Sequence, residues 1–363
     1  MVYKRADEGR GQRAAITKNA LVKRSLVAAI VLISVLTLLT TGASAAELHV
    51  GTGQTYATIQ AAVDAGNQGD TIIVHDGTYN ENVDVNKRLT IQSQNGSAVT
   101  TVQALGTGDV FHVTADYVNI SGFTVTGASN ATYAGIYLDN VSNCNIFNNI
   151  ASSNNHGIRL RYSSYNNLTG NTANANNNRG ILLASSTNNT LTGNTANSNN
   201  RYGIALSSSS NNNLTGNTIP YNAYGVYLSG SSSNNISCNW VHHNTARGFY
   251  LTGTSTGNTI ENNNIMANGV LNETSGGYEY NFYNNMADPV EAINNYWIAI
   301  DNTTIDAGIY DDEEGKGKVT FYPFATGPVP CSPIPEAATI LLFSMGVLAL
   351  AGYTGMQRRQ SRK

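Results

Sequence analysis

Along the middle of the chain, a glycine followed by apolar residues one and three positions later recurs six times. The copies begin at Gly135, Gly157, Gly180, Gly203, Gly225 and Gly248, at intervals of 22, 23, 23, 22 and 23 residues. Other columns keep the same phase. Eleven positions after the glycine stand Ile146, Leu168, Leu191, Leu214 and Ile236, and fourteen after it Asn149, Asn171, Asn194, Asn217 and Asn239. A column nine positions on runs through Asn166, Asn189, Asn212 and Asn234, with Cys144 in its first slot. The sixth copy resumes after a one-residue slip, as Asn258, Ile260, Asn263, Ile265 and Asn268.

Apolar residues two apart are strand alternation, and the Asn, Ser and Gly between them are turn formers. A unit of 22 or 23 residues is too short for helix-turn-helix repeats of about 33 or 34. No stretch of the unit has helical spacing, which excludes a leucine-rich repeat. The pattern predicts an all-β coil of short parallel strands, each turn bonded to the next at about 4.8 Å. Like positions then stack. The Ile and Leu columns fill a continuous core. Asn149, Asn171, Asn194, Asn217, Asn239 and Asn263 form a buried ladder, each amide donating to one neighbour and accepting from the other.

This repeat resembles those of the right-handed parallel β-helix proteins of the pectate-lyase-like superfamily, most closely NosD-like proteins and their carbohydrate-binding and sugar-hydrolysis (CASH) domain. The stretch IQAAVDAGNQGDTIIVHDGTYNENVDVNKRLTIQ, Ile59 to Gln92, is similar to the superfamily's opening, a short capping helix and the first coils. Ile59, Ala62 and Val63 share one helix face and are expected to cover the open end of the core. Asn294 to Pro323 resembles the closing coil, with Ile298 where the family usually has Gly. The resemblance implies one single-stranded right-handed β-helix over about Thr55 to Pro323, clearest at 135–270. It implies no single activity, because the superfamily is functionally mixed.

Both ends read as targeting segments. Lys18, Lys23 and Arg24 precede an apolar run, Leu26 to Leu39, and Ala43-Ser44-Ala45 follows, so residues 1–45 are read as a signal peptide with an extended charged region. The exported body is 46–323, with a linker at 324–336. Residues 337–356 are apolar enough to span a bilayer, and the basic tail 357–363 is expected on the cytoplasmic side. Pro335-Glu336 before that span resembles the PEP-CTERM and PEF-CTERM sorting signals, although Ala337 stands where Pro or Phe is typical. That resemblance implies a membrane sorting transpeptidase of the exosortase or archaeosortase type as partner; the alternative is a plain membrane anchor. Formal net charge is −3 with 20 Tyr, which argues for a folded β-rich body and against nucleic acid as partner.

Candidate chemistry is sparse. Within the six repeats the acids are Asp139 and Glu261, about 24 Å apart at the strand spacing. A glycosidase pair needs about 5 to 9.5 Å, so no catalytic residue is assigned in the repeats. A lyase or hydrolase site is left possible only at the ends. Asp311 to Glu314 offer oxygen ligands for Ca²⁺ or a solvated acidic turn, the preferred reading. His242 and His243 are expected on opposite sides of a strand, with Cys238 and Met266 in different coils. No copper site, and no cofactor, is therefore expected. Three cysteines give no disulfide framework. Cys144 and Cys238 lie roughly 19 Å apart by coil count, and both are expected as buried free thiols.

The outward columns differ on one strand face. Before the repeat glycines stand His156, Arg179, Tyr202, Tyr224 and Arg247; two after them come Tyr137, Arg159, Tyr227 and Tyr250, and four after, Arg161. Aromatic rings match sugar faces and Arg forks bind uronate or sulfate bidentately, so these ten residues form a candidate glycan-binding strip. The plain alternative is that Tyr and Arg suit exposed strands. An exported, surface-located, non-catalytic carbohydrate-binding or envelope protein is the reading; a polysaccharide lyase or hydrolase and a NosD-like copper accessory protein are the alternatives. Ten Asn-x-Ser/Thr sequons, among them Asn95, Asn119, Asn130, Asn272 and Asn302, suit glycosylation. Those assigned to the ladder, such as Asn167 and Asn213, are expected to be inaccessible.

Overall fold

The computed structural model describes residues 45–271, 277–299 and 301–331. The readings placed on 1–44 and 332–363, signal peptide, sorting helix and basic tail, lie outside the described residues, among which no helix is long and apolar enough to cross a membrane. From Glu47 onward the described residues form one unit. It is a right-handed parallel β-helix. Three parallel sheets run its length, of ten, nine and ten strands. Sheet 1 runs from Glu47–Val50 to Thr259–Glu261, sheet 2 from Gly77–Asn80 to Asn264–Met266, and sheet 3 from Val83–Val85 to Ile309–Tyr310.

Each coil is a strand of sheet 3, then sheet 1, then sheet 2, and the chain turns at left-handed residues. Between sheets 1 and 2 the corner is taken by Asn148, Gly170, Gly193, Gly216, Cys238 and Asn262, with φ of 55–66°. The Gly of the repeated Leu-Thr-Gly-Asn-Thr is therefore there for a backbone that residues with a Cβ adopt at a cost. The repeat glycine is needed for a different reason. A Cβ on Gly180 would lie 2.7 Å from both Gly203 O and the Asn199 amide nitrogen, so close approach, not φ, excludes a side chain.

The predicted ladder is present and continuous. The Asn171 side-chain oxygen accepts from both the backbone N–H (3.1 Å) and the side-chain amide (3.2 Å) of Asn149. The pattern repeats through Asn194, Asn217 and Asn239 to Asn263, and ends on Asn295. Each amide's second proton goes to a core-strand carbonyl, as from Asn171 to Ile146 O at 2.7 Å. Two parallel ladders run from Cys144 to Asn258 and from Asn154 to Asn281. A Ser ladder, Ser163 to Ser255, was not read from the sequence, because the same serines also suit plain turns. Between the columns, Ile146, Leu168, Leu191, Leu214 and Ile236 are fully buried, and Ile59, Ala62 and Val63 close the first coil as expected.

Two expectations fail here. Cys238 is not a free thiol: it is bonded to Cys331. An odd count rules out complete pairing but not one bridge, and Cys331 lies beyond the repeats, where coil counting could not place it. Cys144 is the free, buried thiol, pushed up to about 11 by burial. Asn167 and Asn213 do not belong to the ladder either. Strand alternation turns Asn166 and Asn212 inward and their neighbours out.

Candidate functional site

Because residues one and three after each repeat glycine point into the core, the residue between them points out. Strand register joins these residues into one column across sheet 3. It begins at Asp84 and His112, passes Tyr137 and Arg159, crosses Leu182 and Ala205, and ends at Tyr227, Tyr250, Tyr283 and Tyr310. Alongside it run His156, Arg179, Tyr202, Tyr224 and Arg247. The strip is therefore longer than the repeats alone show, by two coils at each end.

Its two halves differ. Toward the C-terminal end the rings pack in series, Tyr202 on Tyr227 at 4.5 Å and Tyr283 parallel to Tyr310 at 4.0 Å. The Arg247 guanidinium lies 3.6 Å from the Tyr283 centroid and 4.4 Å from that of Tyr250. Ring quadrupoles hold such a cation without neutralising it. Toward the N-terminal end the strip is charged. His112 stands 3.5 Å from Asp84 and 3.9 Å from Asp139 and stacks on Tyr137 at 5.1 Å. Arg159 lies over the same Tyr137 ring, 4.7 Å from its centroid, and donates to Thr132 O at 2.7 Å. Arg161 sits over Tyr162 at 4.7 Å, exposed. Burial pushes the Asp109 carboxyl up, while the Ala134 N–H and the charges of His112 and Arg159 work the other way.

The ten candidate residues do share this face, but not equally. Arg161 is exposed, and Arg159, Arg179, Tyr224, Tyr227, Arg247 and Tyr250 are half-buried. His156 and Tyr202 are only 4 % exposed, and Tyr137 8 %; they point away from the core, yet neighbouring Arg and Tyr side chains cover them. They support the strip from beneath. Sequence reasoning missed Asp84, His112, Tyr283 and Tyr310. The turns that precede and follow the regular repeats differ in length, so these positions fall out of phase, and only strand register recovers them.

The covered histidines carry a pH signature. Burial, with Arg179 and Arg159 nearby, lowers His156 from 6.5 to about 3; burial, with His243 adjacent, lowers His242 likewise to about 3. Between those values the unfolded chain takes up protons that the fold refuses. Stability is thus expected to fall as pH drops from about 6.5 toward 3, by up to about 1.4 kcal/mol per pH unit per histidine. Thermal unfolding followed at pH 7, 5.5 and 4.5 checks this: His156→Gln should flatten the decline, and an unchanged slope would contradict it.

His242 and His243 depart from the expectation of opposite faces. The strand ends at His242, and His243 takes the left-handed corner with φ 53°. The two rings meet Nδ1 to Nδ1 at 2.8 Å, with Trp240 stacked on His242 at 3.8 Å and Met266 in register beside it. At the acidic turn, Asp311 accepts from Val319 N–H and Glu314 from Asp311 N–H, at 2.7 and 2.9 Å. Those carboxylates hold the turn itself.

Residues 63–301 match the NosD family, described as periplasmic copper-binding protein. The chain belongs to the NosD family. A cell surface glycoprotein of Methanothermus fervidus is 40% identical over 111 residues, which is 30% of this chain and 18% of that one. The NosD-family chain thus spans less than a fifth of that relative. Among solved structures it is similar to pectate lyase Pel9A (TM-score 0.54, 17% identity, 82% of this chain and 83% of the other). It is also similar to the DFA-IIIase of Arthrobacter chlorophenolicus A6 (TM-score 0.51, 14% identity, 69% and 80%). At such identity these likenesses show the fold alone. Together the family and the surface relative support an exported protein.

Copper is the metal named in the family's description. Among the described residues no group of three or more His, Cys, Asp or Glu is placed so that it could hold a metal ion. The best soft-donor site, His242 with His243, is a hydrogen-bonded pair at 2.8 Å. Cys238 is tied to Cys331.

Proposed function

We propose that this exported β-helix binds an acidic glycan along the outer face of sheet 3, as a non-catalytic surface protein. The observation that carries it is the outward column from Asp84 to Tyr310, ten strands in register, aromatic or charged at every rung but Leu182 and Ala205. An extended polysaccharide laid along the axis meets one new rung about every 4.8 Å. Tyr224, Tyr227, Tyr250 and Tyr310 offer the parts of their rings not covered by neighbours to the apolar sides of sugars, while Tyr283 is held between Tyr310 and Arg247. Arg159, Arg161, Arg179 and Arg247 offer cations for carboxylate or sulfate groups. Backbone strands fix every rung, so little order is lost on binding.

The Asp84–His112–Asp139 group supports a second reading, a lyase or hydrolase site at the N-terminal end of the strip. Against a base there, the Nε2 of His112 is closed off from solvent and has no hydrogen-bond partner. Incubation with polygalacturonate and alginate distinguishes the two, since unsaturated or reducing-end products would favour catalysis.

The binding reading is tested by Arg161→Ala, Arg159→Ala and the double variant against polygalacturonate. Losing an exposed charge contact costs about 0.2–1 kcal/mol, so Arg161→Ala should weaken binding about 1.4- to five-fold. The double variant should lose roughly ten-fold or more. Binding unchanged in the double variant, with unaltered far-ultraviolet circular dichroism, would reject the strip as the site.

A further inference from the structure

Sheet 1 carries a second ordered feature on its outer face. Its strands place Asn119, Asn167, Asn213 and Asn235 in one outward column, with Asn145 and Thr190 on the rungs between. Each of the four begins an Asn-x-Ser/Thr sequon, whose hydroxyl residue is Ser121, Thr169, Thr215 or Ser237. In a strand, positions two apart share a face. The residues between them, Ile120, Leu168, Leu214 and Ile236, are fully buried, so amide and hydroxyl share the outer face, although Ser121 is covered to 8 % exposure.

The hydrogen bonds separate these asparagines from the ladder. Asn166 faces inward, and its amide donates twice, to Val141 O at 3.1 Å and the Asn189 side-chain oxygen at 3.0 Å. Asn167, the next residue, is exposed, and its amide makes one bond, to the Asn145 side-chain oxygen at 3.0 Å. Asn234 is buried, and its amide donates to the Asn258 side-chain oxygen at 2.9 Å. Asn235 is exposed and donates once, to Asn213, at 3.0 Å. An N-linked sugar replaces one of the two amide protons, so the outer asparagines keep their bond and a ladder asparagine would lose one. No buried asparagine begins a sequon; the sequons among the described residues all fall on the surface or half-buried. Asn140 and Asn188, in the turns leading from sheet 3 into sheet 1, are exposed sequons beside the same face, whereas no strand of sheet 2 or 3 holds one.

We infer that the outer face of sheet 1 is an N-glycosylation face, with Asn167 and the Asn213/Asn235 pair as its acceptors. The donor class is an oligosaccharide on a lipid phosphate. The bond from the Asn amide nitrogen to sugar C1 forms as the C1–O bond to phosphate breaks; one amide proton leaves to a base and the lipid phosphate departs. Asn213 and Asn235 stand on adjacent rungs, about 4.8 Å apart, too close for two chains, so one of them is modified per molecule. The sugar then covers sheet 1 and leaves the Tyr/Arg strip on sheet 3 open.

The test is peptide mass spectrometry of the full chain secreted from a cell that N-glycosylates its own exported proteins. Sugar mass is expected on Asn167 and on Asn213 or Asn235, never on both of that pair in one peptide. Thr169→Ala should remove the Asn167 mass while polygalacturonate binding stays as in the parent, so this result stands apart from the fate of the binding proposal. Unmodified Asn167, Asn213 and Asn235 would overturn the inference, as would sugar confined to the turn sequons Asn140 and Asn188.

Discussion

Asn194→Asp is expected to lower unfolding stability at pH 7 by about 3–5 kcal/mol, although it changes one amide into a carboxylate of the same shape. The wild-type amide donates to Leu168 O at 2.8 Å and to the Asn217 side-chain oxygen at 3.0 Å. A carboxylate turns acceptor toward acceptor at both contacts, in a fully buried position with no cation beside it. Its oxygens keep the two bonds received from Asn171, at 3.0 Å each, so the loss is confined to the donor side. The unpaired charge has a folded pKa raised above its unfolded one. The folded variant therefore binds the extra proton, and its deficit grows as pH rises through the carboxylate range and shrinks again in acid. Asn200→Asp, on an exposed residue, should stay within about 0.5 kcal/mol of the parent. Urea denaturation of both variants at pH 7 and pH 4 measures this. Equal, small effects would mean that the columns are packed but not bonded as described.

Cys238→Ser carries the second large effect. The bridge to Cys331 closes 93 residues of chain, and loops of that size are typically worth about 2–5 kcal/mol. It pins the segment after the last coil, where Val329 N–H also donates to the Asn264 side-chain oxygen at 2.8 Å. The variant should melt several degrees lower, since each kcal/mol shifts the melting point by about 2–4 °C in a domain of 150–250 residues. Reduction of the wild type should reproduce the shift, and have no further effect on the variant. A reducible bridge whose loss left the melting point unchanged would place the bridge outside the cooperative unit.

The repeat was legible because its determinants are local and periodic. Strand alternation around Gly135 to Gly248, the inward Ile and Leu, and the Asn columns all follow from one 22- or 23-residue phase. What escaped depends on geometry between coils. The Ser163–Ser255 ladder looks like turn composition until the coils are stacked. His243 turns onto His242 because the corner breaks the strand alternation that was assumed to continue. Asp84 and His112 join Tyr137 only through register across turns of unequal length. The candidate site was half legible for the same reason: Arg159, Arg161, Tyr224, Tyr227 and Tyr250 follow from the phase, whereas the burial of His156 and Tyr202 depends on which neighbours fold over them.

The central claim is that sheet 3 recognises an acidic glycan, and isothermal titration against a matched pair of polymers tests it most directly. Polygalacturonate should bind the parent chain, with affinity rising over oligomer length up to about one sugar per rung and falling as salt screens the arginines. A neutral glucan of equal length should bind at least ten-fold more weakly. Equal binding of the two polymers, or no heat with either polyuronates or sulfated glycans, would contradict it.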